Sequence, residues 1–228
     1  MWTKLNIFSL AASTSLVAVT NAQDNASNRA INIALMARFN QIEDYGCWCH
    51  FAGNWQKGKG KPQDIYDHEC RDFVRGYDCI YMDAEEDNHS CVPWETQYFE
   101  PMNIVYDDTD QRLIDDCTTP NSLFGSQAEK DCRVRTCLVE SFFQRTLAQL
   151  EEANTPTNPA LKLENGFNFD SVCAVAASGP LEKQCCGEYP TRFPFRPKGG
   201  DYKCCQNKKA YNSFMFECCD DGSVAMSC

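Results

Sequence analysis

Sixteen cysteines in 228 residues constrain this chain more than any other feature. They divide evenly, eight between Cys47 and Cys137 and eight between Cys173 and Cys228. What such thiols do depends on the compartment, and the opening MWTKLNIFSLAASTSLVAVTNA addresses that. Lys4 gives a short positive start, IFSLAASTSLVAV is an apolar run too short to span a bilayer, and Thr20-Asn21-Ala22 offers small residues for cleavage. Residues 1–22 read as a signal peptide, and no later stretch reaches the roughly 18 apolar residues of a membrane span. The expected localisation is secreted, extracellular. An exported chain meets an oxidising compartment, where an even cysteine count reads as a disulfide framework. That assigns Cys47, Cys49, Cys70, Cys79, Cys91, Cys117, Cys132, Cys137, Cys173, Cys185, Cys186, Cys204, Cys205, Cys218, Cys219 and Cys228 to bridges.

Removal of the signal takes the formal charge from −11 to −12, because Lys4 goes with it. Such a chain is a poor partner for nucleic acid or anionic membranes, which ask for Lys and Arg. Asn25-Ala26-Ser27 and Asn88-His89-Ser90 are glycosylation sequons, so Asn25 and Asn88 are candidate acceptors.

The cysteine division suggests two modules, residues 23–150 and 167–228, joined by a linker over 151–166 whose Asn, Thr and Pro residues break helices. Even counts fit separate stapling of each module, with cross-module bridges left open. The first module reads as mainly α. Ile31, Leu35, Phe39 and Ile42 recur at helical spacing, as do Val134, Leu138, Phe142, Leu147 and Leu150. Asp64 after Pro62 starts a further helix, in which Gly76 marks a distortion or the last turn. YDDTDQRLIDDC is an acidic loop; Asp107, Asp108 and Asp110 lack the spacing of a calcium hand. The second module reads as small β and loop structure. DYKCC, AYNSFMFECC and SVAMSC are short strand signals separated by the turns QNKK and DDG. No continuous apolar core is evident there, so disulfides replace it.

The stretch from Tyr45 to Cys79 carries the chemistry worth weighing. YGCWCHFAGNWQKGKGKPQD followed by the Cys-bearing helix DHECRDFVRGYDC resembles secreted phospholipase A2. With a weaker echo around Cys132 and Cys137, the likeness covers about half of the mature chain and predicts that family's helical fold. The resemblance implies a loop whose carbonyls hold calcium, with Trp48, His50 and Ala52 as the candidate loop residues here. It implies a helix bearing a catalytic histidine and a calcium-binding aspartate, and the pairs Cys49 with Cys70 and Cys79 with Cys132 or Cys137. Such hydrolysis needs a base near neutral pKa and a Lewis acid held close together.

The departures outweigh the match. Phe73 and Val74 stand where the family has its histidine and aspartate, Glu69 breaks its double cysteine, and His50 replaces a loop glycine. The histidines are His50, His68 and His89. His68 precedes Phe73 by five residues, which leaves it about 140° around the helix axis. Asp72 faces about 100° aside and is a weak base when solvated. Glu140 falls near the family's supporting carboxylate, and without a histidine to orient it reads as an exposed helix residue. No catalytic residue is expected, and no cofactor beyond the calcium that the resemblance implies. A zinc cluster of Cys47, Cys49, His50 and Cys70 is the metal alternative, which an oxidising compartment disfavours.

Cys185-Cys186, Cys204-Cys205 and Cys218-Cys219 resemble the di-cysteine units of galaxin-like extracellular matrix proteins. Adjacent cysteines rarely bond each other, so each pair should bridge two different segments. Arg192, Arg196, Lys198, Lys203, Lys208 and Lys209 make this tail locally basic, for which solvated turn residues are the plain explanation. The expected partner is an extracellular protein or matrix component. Lipid contact falls to Trp48, Trp55 and Trp94, which more often fill a small core. Two alternatives stand beside a non-catalytic matrix or binding protein: a calcium-dependent phospholipase A2 with an unconventional base, and a secreted toxin-like or inhibitor-like binder.

Overall fold

The computed structural model describes residues 42–51, 57–93, 105–107, 112–114, 117, 125–175 and 183–228. The signal peptide, Asn25, the stripe Ile31–Leu35–Phe39, Ala52, Trp55, Trp94, Asp108 and Asp110 lie outside those residues. What is described is a disulfide-rich fold of two long helices and four two-stranded antiparallel pieces, held by eight bridges with no free cysteine.

Helix α1 spans Ile65–Glu86. Asp64 caps it by accepting from the Asp67 amide, which would otherwise lack a partner in the first turn. Helix α2 spans Gln127–Glu152 and opens on a capping box, with Ser126 and Glu129 satisfying each other's backbone amides. The two helices pack together through Phe73, Val74, Tyr77 and Ile80 on α1 and Val139, Phe143 and Leu147 on α2.

The buried face of α2 meets the apolar stripe only toward its C-terminal end, where Leu147 is buried and Leu150 packs against the core. Nearer the N-terminus Cys132, Thr136, Val139 and Phe143 are buried, whereas Val134 and Leu138 are half-buried and Phe142 is 37 % exposed. Polar Thr136, Glu140 and Gln144 sit on the buried side, so counting apolar residues misplaces the first turns. Gly76 also differs from expectation, since α1 continues past it to Glu86 without interruption. A Cβ there would lie 2.9 Å from Val139 Cγ1, so the glycine lets the helices approach.

Beyond α2 the chain docks against the loop before α1. Turns of 3₁₀ helix cover Pro159–Leu161 and Leu163–Asn165. Between them Lys162 bridges to Tyr45, the Leu161 carbonyl accepts from the Gly46 amide at 2.8 Å, and the Asp44 carbonyl accepts from Leu163 at 3.0 Å. The first two residues of the expected linker, Glu151 and Glu152, belong to α2 itself. A short helix α3, Phe169–Val172, follows and carries Cys173 to Cys47.

Strands β1 (Val105–Asp107) and β2 (Arg112–Ile114) form one hairpin. In the tail, β3 (Gln184–Cys186) pairs with β4 (Phe193–Phe195), β5 (Tyr202–Cys205) with β6 (Lys209–Asn212), and β7 (Glu217–Cys218) with β8 (Val224–Ala225). Gln206 and Asn207 both take left-handed φ values in the QNKK turn, 44° and 55°. Such a pair of residues matches the twist of a tight hairpin.

Bridges do not stay within the two cysteine groups. Cys47–Cys173 and Cys79–Cys185 cross between them, so Cys79 pairs with neither Cys132 nor Cys137. Those two close instead with Cys91 and Cys117. Cys49–Cys70 forms as the resemblance implied. Each adjacent tail pair does reach two segments, through Cys186–Cys204, Cys205–Cys218 and Cys219–Cys228.

Candidate functional site

The loop Tyr45–Phe51 is wrapped around one carboxylate. Asp67, 0 % exposed, accepts from the Cys47 amide with both oxygens at 2.9 Å, from Trp48 at 2.7 Å and from Gln63 at 2.8 Å. Burial pushes its pKa above the ordinary carboxylate value, and the three amides pull it partway back. Gly46 makes this possible: its φ is +58°, and any Cβ would fall 2.4 Å from the Asp67 carboxyl carbon.

Several carbonyls of the wrapped loop, Trp48 O among the candidate residues, are engaged within the chain. Tyr45 O accepts from Cys49, Cys47 O from Lys59, and Trp48 O from His50, while Gly46 O faces His50 Nε2 at 3.2 Å. With Val74 in place of the expected aspartate, the residues present do not fit a calcium site of the kind the resemblance implies. The zinc alternative falls as well, because Cys47, Cys49 and Cys70 are all spent in disulfides. Among the described residues no group of three His, Cys, Asp or Glu side chains is placed to hold a metal.

Each histidine has a different setting from a catalytic base. His50, 2 % exposed, sets Nδ1 against Asp44 at 3.1 Å and packs edge-on to Phe169. Burial lowers its pKa below 6.5, against the pull of Asp44. Sequence reasoning missed this His–Asp contact; both ring nitrogens are engaged, so it orders the loop. His68 lies on the outer face of α1 among Glu69, Arg71 and Asp72. His89 follows the end of α1, its amide donating to the Ala84 carbonyl.

Phe73, at the position where the resemblance places a base, sits in an aromatic cluster. Phe73 stacks on Phe143 with ring centres 4.6 Å apart, meets Phe51 edge-on at 5.6 Å and touches Tyr77 at 4.6 Å. Beyond it, the Tyr77 hydroxyl donates to Glu140. Glu140 is therefore 2 % exposed, not the solvent-facing carboxylate expected of it. Its neighbours supply the reason: Val139 and Phe143 flank it on the packed face of α2.

A pit of about 270 Å³ opens beside Phe73, walled by Val139, Phe142, Phe143 and, from the tail, Pro190 and Phe193. The β3–β4 hairpin closes it, and a charge clamp holds the hairpin. Arg192 reaches Asp83 with Nε at 2.8 Å and Nη2 at 3.0 Å, and the Tyr189 hydroxyl donates to the same carboxylate at 2.9 Å. Such two-pronged pairing fixes orientation as well as contact. Nothing in the local sequence around Asp83 signals it. Trp48 is half-buried and packed, its indole N–H donating to Gly60 O at 3.2 Å. Among the described residues no helix is long and apolar enough to cross a membrane.

Comparison with family models, curated proteins and solved structures finds no match for this chain.

Proposed function

We propose that this is a secreted, non-catalytic binding protein, built on a phospholipase-A2-like helix pair and extended by a tail that contacts extracellular or matrix partners. One observation carries the reading. Phe73 occupies the place that the resemblance gives to the base, buried in a stack with Phe51 and Phe143. Its neighbour Tyr77 already engages Glu140. A general base contributes about 10²–10⁴-fold to such hydrolysis, and an aromatic ring supplies none of it. The pit beside Phe73, lined by aromatic rings and by charged Glu69, Asp72 and Arg75, leaves room to bind without cleaving. The eight bridges and the tail of linked hairpins support an extracellular setting.

The test is release of fatty acid from phosphatidylcholine vesicles with calcium, beside a chelator control. The expected result is no release above that of vesicles alone. Calcium-dependent release abolished by chelator would overturn the non-catalytic reading. Pull-down of insoluble matrix would support the structural part, and a single tight soluble complex would move the reading to a toxin-like or inhibitor-like binder.

A further inference from the structure

Where the tail hairpins meet α1 there is a second, more open groove of about 620 Å³. Its walls bring together cations that are far apart in sequence: Arg71 and Arg75 from α1, Lys183 ahead of β3, and Arg196 and Lys198 after β4. Asp78 is the single carboxylate lining it, at 3.3 Å from Lys183. Arg71 is also paired with Asp72 at 2.8 Å, yet five cations against these two acids still reverse the balance of a chain whose formal charge is −11.

Among the described residues, two of these cations have no carboxylate in ion-pair range. Arg75 is half-buried, donates to the Pro194 carbonyl and lies over the Phe193 ring, with no carboxylate in ion-pair range. Burial and the neighbouring Arg71 hold its pKa below the usual arginine value, so an incoming anion would relieve it. Lys198 rests its amine 5.2 Å from the Tyr202 ring centre, likewise without a carboxylate partner. A half-buried guanidinium left without an anion is costly, and a planar fork of donors matches sulfate and carboxylate oxygens.

We infer that this seam is a binding groove for a sulfated polysaccharide. The walls favour that occupant over an acidic peptide. Pro194 on the bordering strand has no N–H to offer a peptide backbone, and its carbonyl is taken by Arg75. What remains is a lining of cationic side chains with the half-buried rings of Trp48 and Tyr202 at its wall, suited to sugar rings bearing anionic groups. The acidic remainder of the molecule does not forbid this, because charges beyond about 8 Å are largely screened at physiological salt. Whether the helix pair hydrolyses lipid has no bearing on the groove.

The experiment measures binding of the full secreted chain to heparin by calorimetry across a salt series. Binding should weaken as salt rises, and desulfated heparin should bind at least about tenfold less tightly. Arg75→Gln should weaken binding about tenfold, the loss of one charge-assisted contact. Lys198→Gln, at an exposed position outside the core, should weaken it about threefold and guards against misfolding of the first variant. The double control Lys208→Gln with Lys209→Gln removes two charges from the neighbouring hairpin, one more than either test variant, and should still change binding less than about twofold. Absence of heparin binding at low salt, an equal loss in the control pair, or polyglutamate binding as tightly as heparin would each overturn the assignment.

Discussion

Replacing Asp67 by Asn isolates what holds the loop in place. The side chain keeps its shape but loses one acceptor and its charge. With the amide oxygen in the Oδ1 position, Cys47 and Trp48 keep a partner, at the present 2.9 and 2.7 Å, but as neutral bonds. Each such exchange loses about 1 kcal/mol. The amide nitrogen then faces the Gln63 N–H, now 2.8 Å from Oδ2, donor against donor. That orphaned group costs about 1–3 kcal/mol, toward the low end because Gln63 can reach water. Against this stands relief of a buried charge, whose raised pKa shows the ionised form to be disfavoured there. The net loss should be about 2 kcal/mol. Guanidinium unfolding with disulfides intact would read it as a lowered midpoint at unchanged slope. Asp170→Asn, 91 % exposed, should stay within about 0.5 kcal/mol of the parent. An Asp67→Asn variant as stable as the parent would show that the carboxylate does not hold the loop.

Gly76→Ala should destabilise by about 1 kcal/mol although alanine favours helix, because the stiff Val139 side chain must move from 2.9 Å. Adding Val139→Ala should make the Gly76 change favourable; denaturation of the single and double variants checks this. Phe73→His should produce no fatty-acid release and should lose about 2 kcal/mol of stability as the ring stack breaks, and appreciable turnover would show the rest of a site intact. His50 is depressed below 6.5, so the unfolded chain binds its proton first and stability falls as pH drops through 6.5 toward the folded pKa. Melting at pH 7.5 and 5.5 should show that loss, and His50→Gln should flatten it; an unchanged slope refutes the assignment.

Local chemistry was readable in one dimension, and contacts across the fold were not. The QNKK and DDG turns announce the β5–β6 and β7–β8 hairpins because turn geometry depends on a few adjacent residues. The Asp64 cap follows from the same kind of signal. The β3–β4 hairpin in QCCGEYPTRFPF went unread, its two prolines masking a strand pattern. The face of α2 was legible at Leu147 and Leu150 and misjudged at Val134, Leu138 and Phe142, because cysteines and polar residues occupy buried positions that a hydrophobic stripe would claim. Gly76 looked like a helix end because glycine has two uses, and only the partner helix tells which applies. Asp83 with Arg192, and Cys79 with Cys185, join segments more than one hundred residues apart, beyond the reach of any periodicity. At the site, the sequence offered Phe73 where the resemblance places a histidine and could not show that its ring stacks on Phe143 and meets Phe51 edge-on.

The order of bridges in the tail bears on how this protein survives damage. Every stretch between successive bridged cysteines, from Cys186 to Cys204, from Cys205 to Cys218 and from Cys219 to Cys228, is spanned by its own sulfur link. A protease that nicks any one of them leaves both cut ends tethered, and Cys79–Cys185 fastens the whole series to α1. Fragments would separate only after reduction, so the tail can be cut once in every stretch and still stay attached.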